Sequence, residues 1–589
     1  MKKLASSFPL ATALRETLAR GYTPADFRGD LAAGLTVGIV AVPLAMALAV
    51  ACDVPPQHGL YTAIIAGALI ALSGGSRISV SGPTAAFVVI LLPVVHQYGL
   101  GGLLIATIMA GLIMIGMGIT GMGRMIQYIP YPVTTGFTAG IAVVIASLQV
   151  KDFLGLEVLG APEHFIDKVL AIGAALPSWH PADTLIGLFT LAVLIAWRRL
   201  KPLPIPAHLA ALALGAAAAF GLGSLWPDFT VATIGGRFQY TLDGVIGQGI
   251  PPLPPTFQWP WLLPDAQGGA IGLSGEMLRQ LVPVAFTIAM LGAIESLLCA
   301  VVADGMTDTR HNPNAELIGQ GIGNVVAPFF GGITATAAIA RTAANIRAGA
   351  RSPLAAVIHA LVALLAMLGL AGLLSHIPMA SLAALLLIVA WDMSERKRFA
   401  QILRAAPRSD VAVLLTCFGL TVFIDMVVAV AAGIVLASLL FIRRMAELSG
   451  TTLLSGNNDR RQYLEIPEQV AFYEIRGPLF FGAADKAIGV IQQFNREVRV
   501  VVIDLTLVPD IDMTGIVALE ALLARLHRAG LAVVICGANH AVLKKLLRAG
   551  IRRRVGRLIF RAERQRALLI ASKLAEKEHD SIQPTDLPY

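Results

Sequence analysis

Charge is what this sequence has least of. Asp, Glu, Lys and Arg supply only 14% of its 589 residues, against about a quarter in soluble domains. Hydrophobic residues supply 56%, and the mean hydropathy is +0.73. A water-soluble globule is thereby excluded. Cysteine is scarce too. Cys52, Cys299, Cys417 and Cys536 lie far apart and lack metal-ligand spacing. That argues against a cysteine metal site and leaves them as packing residues. The sequence shows no enzyme chemistry and calls for no cofactor; its C-terminal part after Arg444 has no Gly-rich phosphate fingerprint and no nucleophile–base pair that stands out. Nor does the start read as a cleavable leader. Met1-Lys2-Lys3 starts charged, but Arg15, Glu16, Arg20 and Arg28 precede the first apolar run at Leu31. Residues 1–28 read as a cytoplasmic amphipathic lead-in.

What the sequence has is long uncharged runs. About 20 helical residues cross a bilayer's hydrocarbon core. Leu31 to Ala51 carries no charge, and Leu281 to Ala303 carries only Glu295. Ser352 to Trp391 has no Asp, Glu, Lys or Arg and holds two spans. Val411 to Ile442 is broken only by Asp425 and is also too long for one. The fold expected is a polytopic α-helical membrane protein, with its transmembrane domain over residues 29–448.

The net charge of +8 is not a nucleic-acid signature, because the basic residues cluster beside spans. Arg198, Arg199 and Lys201 flank one connection; Lys397, Arg398, Arg404 and Arg408 fill another; Arg443 and Arg444 close the last span. These should face the cytoplasm. The connection from Leu225 to Gly275 carries Asp228, Asp243 and Asp265 against the single base Arg237, with Glu276 at its end. It should face the other side, as a Pro-rich, aromatic cap or linker between two halves.

Each half contains one short, broken apolar segment, a pattern that points to a transporter's binding site. In the first half, Ile78-Ser79-Val80-Ser81-Gly82 precedes Pro83 and the run from Thr84 to Leu92. In the second, Gly331-Gly332 precedes Ile333 to Ile339, with a helical run from Ala340. Each reads as an extended stretch feeding a helix that begins inside the membrane, with Pro83 suited to a first helical position. A helix start presents unpaired N–H groups and about half a positive charge. Two such starts facing each other make an anion site.

Two charges fall within the hydrophobic part of the second half. Arg341 opens the second helix and would add fixed positive charge. Glu295 lies mid-span and would repel an anion unless protonated or paired with a cation, which makes it a candidate coupling group. The plainer alternative is a structural Glu295–Arg341 ion pair. Asp392 and Asp425 sit at span edges and read as helix-end residues. His359 and His376 read as packing.

After Arg444 the composition changes. Ser455 to Arg461 is a polar linker, placed within residues 449–468. Val470 to Ile475, Val498 to Leu505 and Leu531 to Cys536 read as strands. Gly515 to Arg528 and His540 to Arg548 read as helices. The continuous apolar strand Val498 to Leu505 suits a parallel sheet, so residues 469–575 form a small α/β domain. Residues 576–589 read as a disordered tail.

The stretch Pro55-Pro56-Gln57-His58-Gly59-Leu60-Tyr61, with Gly75-Ser76-Arg77 and Ser81-Gly82-Pro83-Thr84-Ala85, resembles the signature of the sulfate permease family. Asp512-Met513-Thr514-Gly515 between strand and helix resembles a STAS domain. The resemblance implies fourteen segments as two inverted repeats of seven, a core and a gate domain, elevator-like movement and a homodimer. It implies an anion held by Thr84, Ala85 and Ala86 on one side and Ile339, Ala340 and Arg341 on the other. Glu295 matches the acid of proton-coupled bacterial members. It implies a bacterial inner membrane, with the N-terminus and STAS domain cytoplasmic and a protein partner for that domain. Thr514 holds the position of a phosphorylated hydroxyl in STAS regulators, where phosphate would sit at a helix start; a plain N-cap is the other reading.

Many members have Pro-Gln-Gly-Met-Ala-Tyr where this chain has Pro43-Leu44-Ala45-Met46-Ala47-Leu48. The less polar pocket, together with Leu291 to Leu298, directs the expectation to proton-coupled uptake of four-carbon dicarboxylates such as succinate, fumarate and aspartate. Bicarbonate or sulfate transport, with sodium as another coupling ion, is the alternative. A passive anion channel and a membrane receptor acting through the STAS domain are the remaining readings.

Overall fold

The computed structural model describes residues 10–125, 129–158, 165–200, 205–242, 245–269, 271–424, 426–448, 450–454, 466–480, 498–552, 554 and 557–577. Met1 to Lys3, Lys201, Asp243, Asp425, the Ser455 to Arg461 linker and the tail beyond residue 577 lie outside them. The chain divides into two compact units, residues 1–434 and 435–589.

In the first unit, eight helices among the described residues, the last running on past its edge, are long and apolar enough to cross a membrane. One of these, Ala85–Ile119, is two segments meeting at Gly99, whose φ of 69° breaks the helix. A Cβ at Gly99 would lie 2.4 Å from the Asp265 carbonyl carbon, so both the conformation and the space call for glycine. Four shorter apolar stretches, Pro56 through Ser73, Pro313 through Phe330, Met379–Met393 and Arg408–Phe423, and the short polar-rich helix Ile339–Arg347 complete the set. Counted this way, the described residues hold fourteen segments.

The segments sort into two packing groups. Pro24–Ala51 packs on Leu354–Leu374, and Ala85–Ile119 packs on both Gly275–Thr307 and Pro313–Val326. Tyr131–Leu154 packs instead on Met379–Met393 and Arg408–Phe423, and Pro181–Leu200 packs on Ala207–Leu225. Along the chain the groups alternate, so the order of the first half recurs in the second. Helix starts follow local chemistry. Thr23 and Asp26 form a capping box, and Ser274 and Asn312 each accept from their own first turn.

The Pro-rich connection is ordered. It holds a hairpin pairing Gln239–Leu242 with Val245–Gln248, then an aromatic cluster. Trp259 and Trp261 have ring centroids 4.7 Å apart, and Phe257 stacks on Phe329 at 5.8 Å. This anchors the connection to the segment ahead of the second breaker. The basic stretch around Lys397 is a short helix, Arg396–Ala405. Asp392 does more than end a helix: it pairs with Arg198 at 2.9 Å.

In the second unit, five strands run Gly450–Leu454, Val470–Arg476, Val500–Leu507, Ala532–Cys536 and Leu558–Arg561 in spatial order. The first pair is antiparallel and the rest are parallel. Alternate residues of Val470–Arg476 feed two cores. Ala471, Tyr473 and Ile475 meet Leu519, Leu522 and Leu526 on one face. Val470 and Phe472 meet Leu568 and Ala571 of Arg564–Lys577 on the other. Burial on both faces explains the continuous apolar strands. Asp504 is fully buried and Glu474 nearly so, and both accept from Arg564.

Candidate functional site

The two broken segments meet. Ser81–Gly82 pairs antiparallel with Thr336–Ala337, Ser81 opposite Ala337 and Gly82 opposite Thr336. The Ala338 N–H donates to the Val80 carbonyl at 3.0 Å. From this short ladder one helix departs at Ala85 and the other at Ile339.

Extended backbone at membrane depth must be satisfied by protein, and here side chains do it. Asn324 accepts from the Ala335 N–H at 2.8 Å and donates to the Ala335 carbonyl at 2.9 Å. Thr342 accepts from the Val80 N–H at 3.0 Å, and Asn345 donates to the Ile78 carbonyl at 2.9 Å. Glu316 accepts from the N–H groups of Gly75 and Ser76 at 3.0 and 2.9 Å. Gln320 donates to Ser81 Oγ at 2.9 Å, Ser296 Oγ lies 2.6 Å from Thr336 Oγ1, and Thr107 and Thr334 hydroxyls are 2.8 Å apart.

The helix starts are different. Thr84 is the N-cap residue of Ala85–Ile119, yet its side chain makes no cap bond. Its hydroxyl donates to Glu295 Oε2 at 3.1 Å. Ala338, the other N-cap, has no side chain that could cap. Both first turns therefore keep their N–H groups free of side-chain acceptors among the described residues, the arrangement that suits an anion. Pro83 was expected at the first helical position; it instead precedes the cap, because Thr84 takes the extended cap conformation and the helix begins at Ala85. The Pro83 carbonyl accepts from Arg341 Nη2.

Arg341 is 3% exposed, and its Nε and Nη1 have no hydrogen-bond partner among the described residues. A buried guanidinium with open donors is costly unless an anion or water meets it. It lies against the ladder so closely that a Cβ at Gly82 would be 2.6 Å from Nη1. The expected alternative of a Glu295–Arg341 ion pair does not form. Glu295 takes the Thr84 hydroxyl, and Arg341 turns to Pro83. Thr84, Ala85, Ala86, Ile339, Ala340, Arg341 and Glu295 thus belong to one locality, with Glu295 half-buried mid-helix. His359 is fully buried there too, and His376 Nδ1 meets the Gly372 carbonyl at 2.8 Å.

The sequence reading missed the scaffold: Glu316, Gln320 and Asn324. Their signal was present, since they recur every fourth residue and so line one face of Pro313–Val326. Polar residues repeated on one face of an apolar helix mark partners inside the bilayer.

Outside the spans, Asp53 lies past the end of its helix, and His96 Nε2 is 3.2 Å from its carboxylate. That hydrogen bond, aided by Lys151 and Arg237 against the effect of burial, holds the Asp53 carboxyl down at about 2. In the second unit, Thr514 is not the cap of its helix. Asp512 is, accepting from the Gly515 N–H at 2.8 Å, and Thr514 lies within the first turn.

Two discontinuous helices presenting their starts and a buried Arg to one point, in a bundle of two packing groups, define a membrane transporter of small anions. The Sulfate permease family matches residues 27–417 and the STAS domain family matches residues 463–565. The chain belongs to the sulfate permease family. It is 38% identical over 544 residues to a putative sulfate transporter of Bacillus subtilis, covering 92% of this chain and 97% of that one. It is 30% identical over 549 residues to the bicarbonate transporter BicA of Synechocystis, covering 88% and 90%. Among solved structures, the murine Solute Carrier 26 family member A9 anion transporter shares the fold with a TM-score of 0.81 at 18% identity, covering 97% of this chain and 96% of that one. The transmembrane domain of a cyanobacterial BicA matches with a TM-score of 0.57 at 29% identity, covering 71% and 98%.

Proposed function

We propose that this chain is a secondary active transporter of a small inorganic oxyanion, bicarbonate or sulfate, with Glu295 as the coupling group. The observation that carries the reading is the pair of side-chain-uncapped helix starts flanking a buried Arg341 with two open donors. Small oxyanions match backbone N–H groups and a guanidinium fork.

Relatives named for sulfate and bicarbonate support the inorganic anion over the four-carbon dicarboxylates that the first segment suggested.

Glu295 accepts from Thr84, the residue that opens one helix start. Protonation of Glu295 would remove a negative charge from the anion's neighbourhood, so proton and anion favour each other's binding. Sodium beside the ionised carboxylate would do the same. The two packing groups supply a moving core and a fixed gate for an elevator-like step. The reading includes a homodimer in a bacterial inner membrane, a cytoplasmic STAS domain with a protein partner, and phosphate at Thr514 as its regulation.

Uptake of radiolabelled sulfate, bicarbonate and succinate into proteoliposomes, under inward proton or sodium gradients, tests the reading. Gradient-stimulated sulfate or bicarbonate uptake is expected. Succinate uptake alone would overturn the substrate assignment, and uptake indifferent to every gradient would make the chain a channel.

A further inference from the structure

Beyond Ala51 and Leu154, at one mouth of the bundle, lies a cavity of about 420 Å³ between the two packing groups. Asp53 and His96 line it from one group, and Gln149, Lys151 and Asp152 from the other. Arg237 reaches in from the Pro-rich connection, and Lys168 from the short helix Phe165–Ala174.

Arg237 is shared unequally between two carboxylates. Its Nη1 is 2.7 Å from Asp152 Oδ1, while its Nη2 is 3.4 Å from Asp53 Oδ1. The second contact is long for a charge-assisted bond, which typically spans about 2.7–2.9 Å. Two further donors in the wall make no hydrogen bond among the described residues. Gln149 is 3% exposed and lines the cavity, and its amide makes no hydrogen bond among the described residues. Lys151 is half-buried and donates to no acceptor among them. A cavity-facing amide and a half-buried ammonium that make no hydrogen bond among the described residues, beside a guanidinium with a weak second contact, have the chemistry to receive an oxyanion.

We propose that this cavity is a second anion site, an outer station that holds a small oxyanion before it reaches the helix starts. The anion accepts from Gln149 and Lys151 and replaces Asp53 on Arg237, which keeps its bond to Asp152. Because Asp53 and Asp152 belong to different packing groups, the same exchange unties the groups at this mouth. The proposal rests on the anion-transport reading for the identity of its ligand, but its test does not need transport.

The four native cysteines are buried and free. An Ala171→Cys variant therefore places one accessible thiol in the cavity wall, and a water-soluble maleimide reports on its occupancy. The full chain in detergent is labelled with sulfate or bicarbonate present, gluconate balancing ionic strength. Sulfate or bicarbonate is expected to slow labelling about twofold at its Kd, where half the sites are filled. The slowing should survive Arg341→Gln at the central site and vanish in Lys151→Gln and in Arg237→Gln. Asp53→Asn, which removes the competing carboxylate, should lower the half-protecting concentration. No protection at saturating anion would overturn the site. So would protection that disappears in Arg341→Gln, since the central site would then act from a distance. If the anion protects the introduced thiol but the unsubstituted chain transports neither anion, the outer site stands and the transport reading falls; the reverse loses only the outer site.

Discussion

The hydroxyl of Thr84 donates to Glu295 Oε2 at 3.1 Å instead of capping its own helix. One bond therefore links the start of a broken helix to the acid in the middle of Gly275–Thr307. Glu295→Gln keeps an acceptor for Thr84 but holds no exchangeable charge. The expected outcome is folded protein whose sulfate or bicarbonate uptake no longer responds to an inward proton gradient. Proteoliposome uptake with and without the gradient checks this; gradient stimulation retained in the variant would remove Glu295 from coupling.

Arg341 is the fixed cation of the proposed site. Arg341→Gln is expected to lower uptake at low substrate concentration at least about tenfold, the equivalent of about 1.4 kcal/mol. Arg341→Lys should fall in between, keeping charge but losing the fork. Gly82→Ala, whose Cβ would sit 2.6 Å from Nη1, should raise KM by displacing the guanidinium. The dependence of initial rate on concentration distinguishes these variants.

Asn324 holds both backbone groups of Ala335. Asn324→Ala leaves a buried N–H and a buried carbonyl unpaired, at about 1–3 kcal/mol each. A lowered unfolding temperature of the detergent-solubilised chain is expected. An unchanged one would mean that the second breaker is held by other contacts.

In the second unit, Arg564 stands between Glu474 and Asp504, whose side chains are 4% and 0% exposed. Arg564→Met would leave the buried Asp504 without a cation and Glu474 with only Arg476, 58% exposed. Breaking a buried pair by removing one partner costs about 3–5 kcal/mol. The expected readout is early loss of STAS-domain structure in a thermal scan. Replacing all three residues by apolar ones should restore much of the stability.

Lys545 Nζ lies 2.6 Å from Asp510 Oδ1. That hydrogen bond, with the Ile511 N–H, holds the Asp510 carboxyl below the usual carboxylate range. A depressed folded value means stability that is present above the unfolded pKa and lost as pH falls through the folded one. Acidification through and below the ordinary carboxylate range should therefore destabilise the STAS domain, and Asp510→Asn should flatten that slope. Both side chains are largely exposed, so high salt should shrink the effect.

Much of this protein was determined by sequence alone, because the bilayer is a strict solvent. A span must be long, apolar and internally hydrogen-bonded, so uncharged runs such as Leu31 to Ala51 could mean little else. The STAS strands were legible for a related reason: burial on both faces of Val500–Leu507 leaves a continuous apolar run. The two breakers at Ser81–Gly82 and Thr336–Ala337 could also be read, since small and polar residues interrupt apolar helices for few reasons.

Tertiary structure decided what a local pattern cannot encode. Which hydroxyl caps and which reaches across is a matter of what lies opposite. Thr84 and Asp512 both occupy cap positions, yet Thr84 turns to Glu295 while Asp512 caps its own helix. Arg341 and Glu295, close enough in character to suggest an ion pair, were separated because Pro83 and Thr84 offered each a partner. The pairing of Arg237 with Asp53 and Asp152, from three distant parts of the chain, exists only because two packing groups and a long connection converge at one mouth. Spacing along a chain fixes the face a residue takes on its own helix; the neighbour that meets that face is set by the packing of all the others.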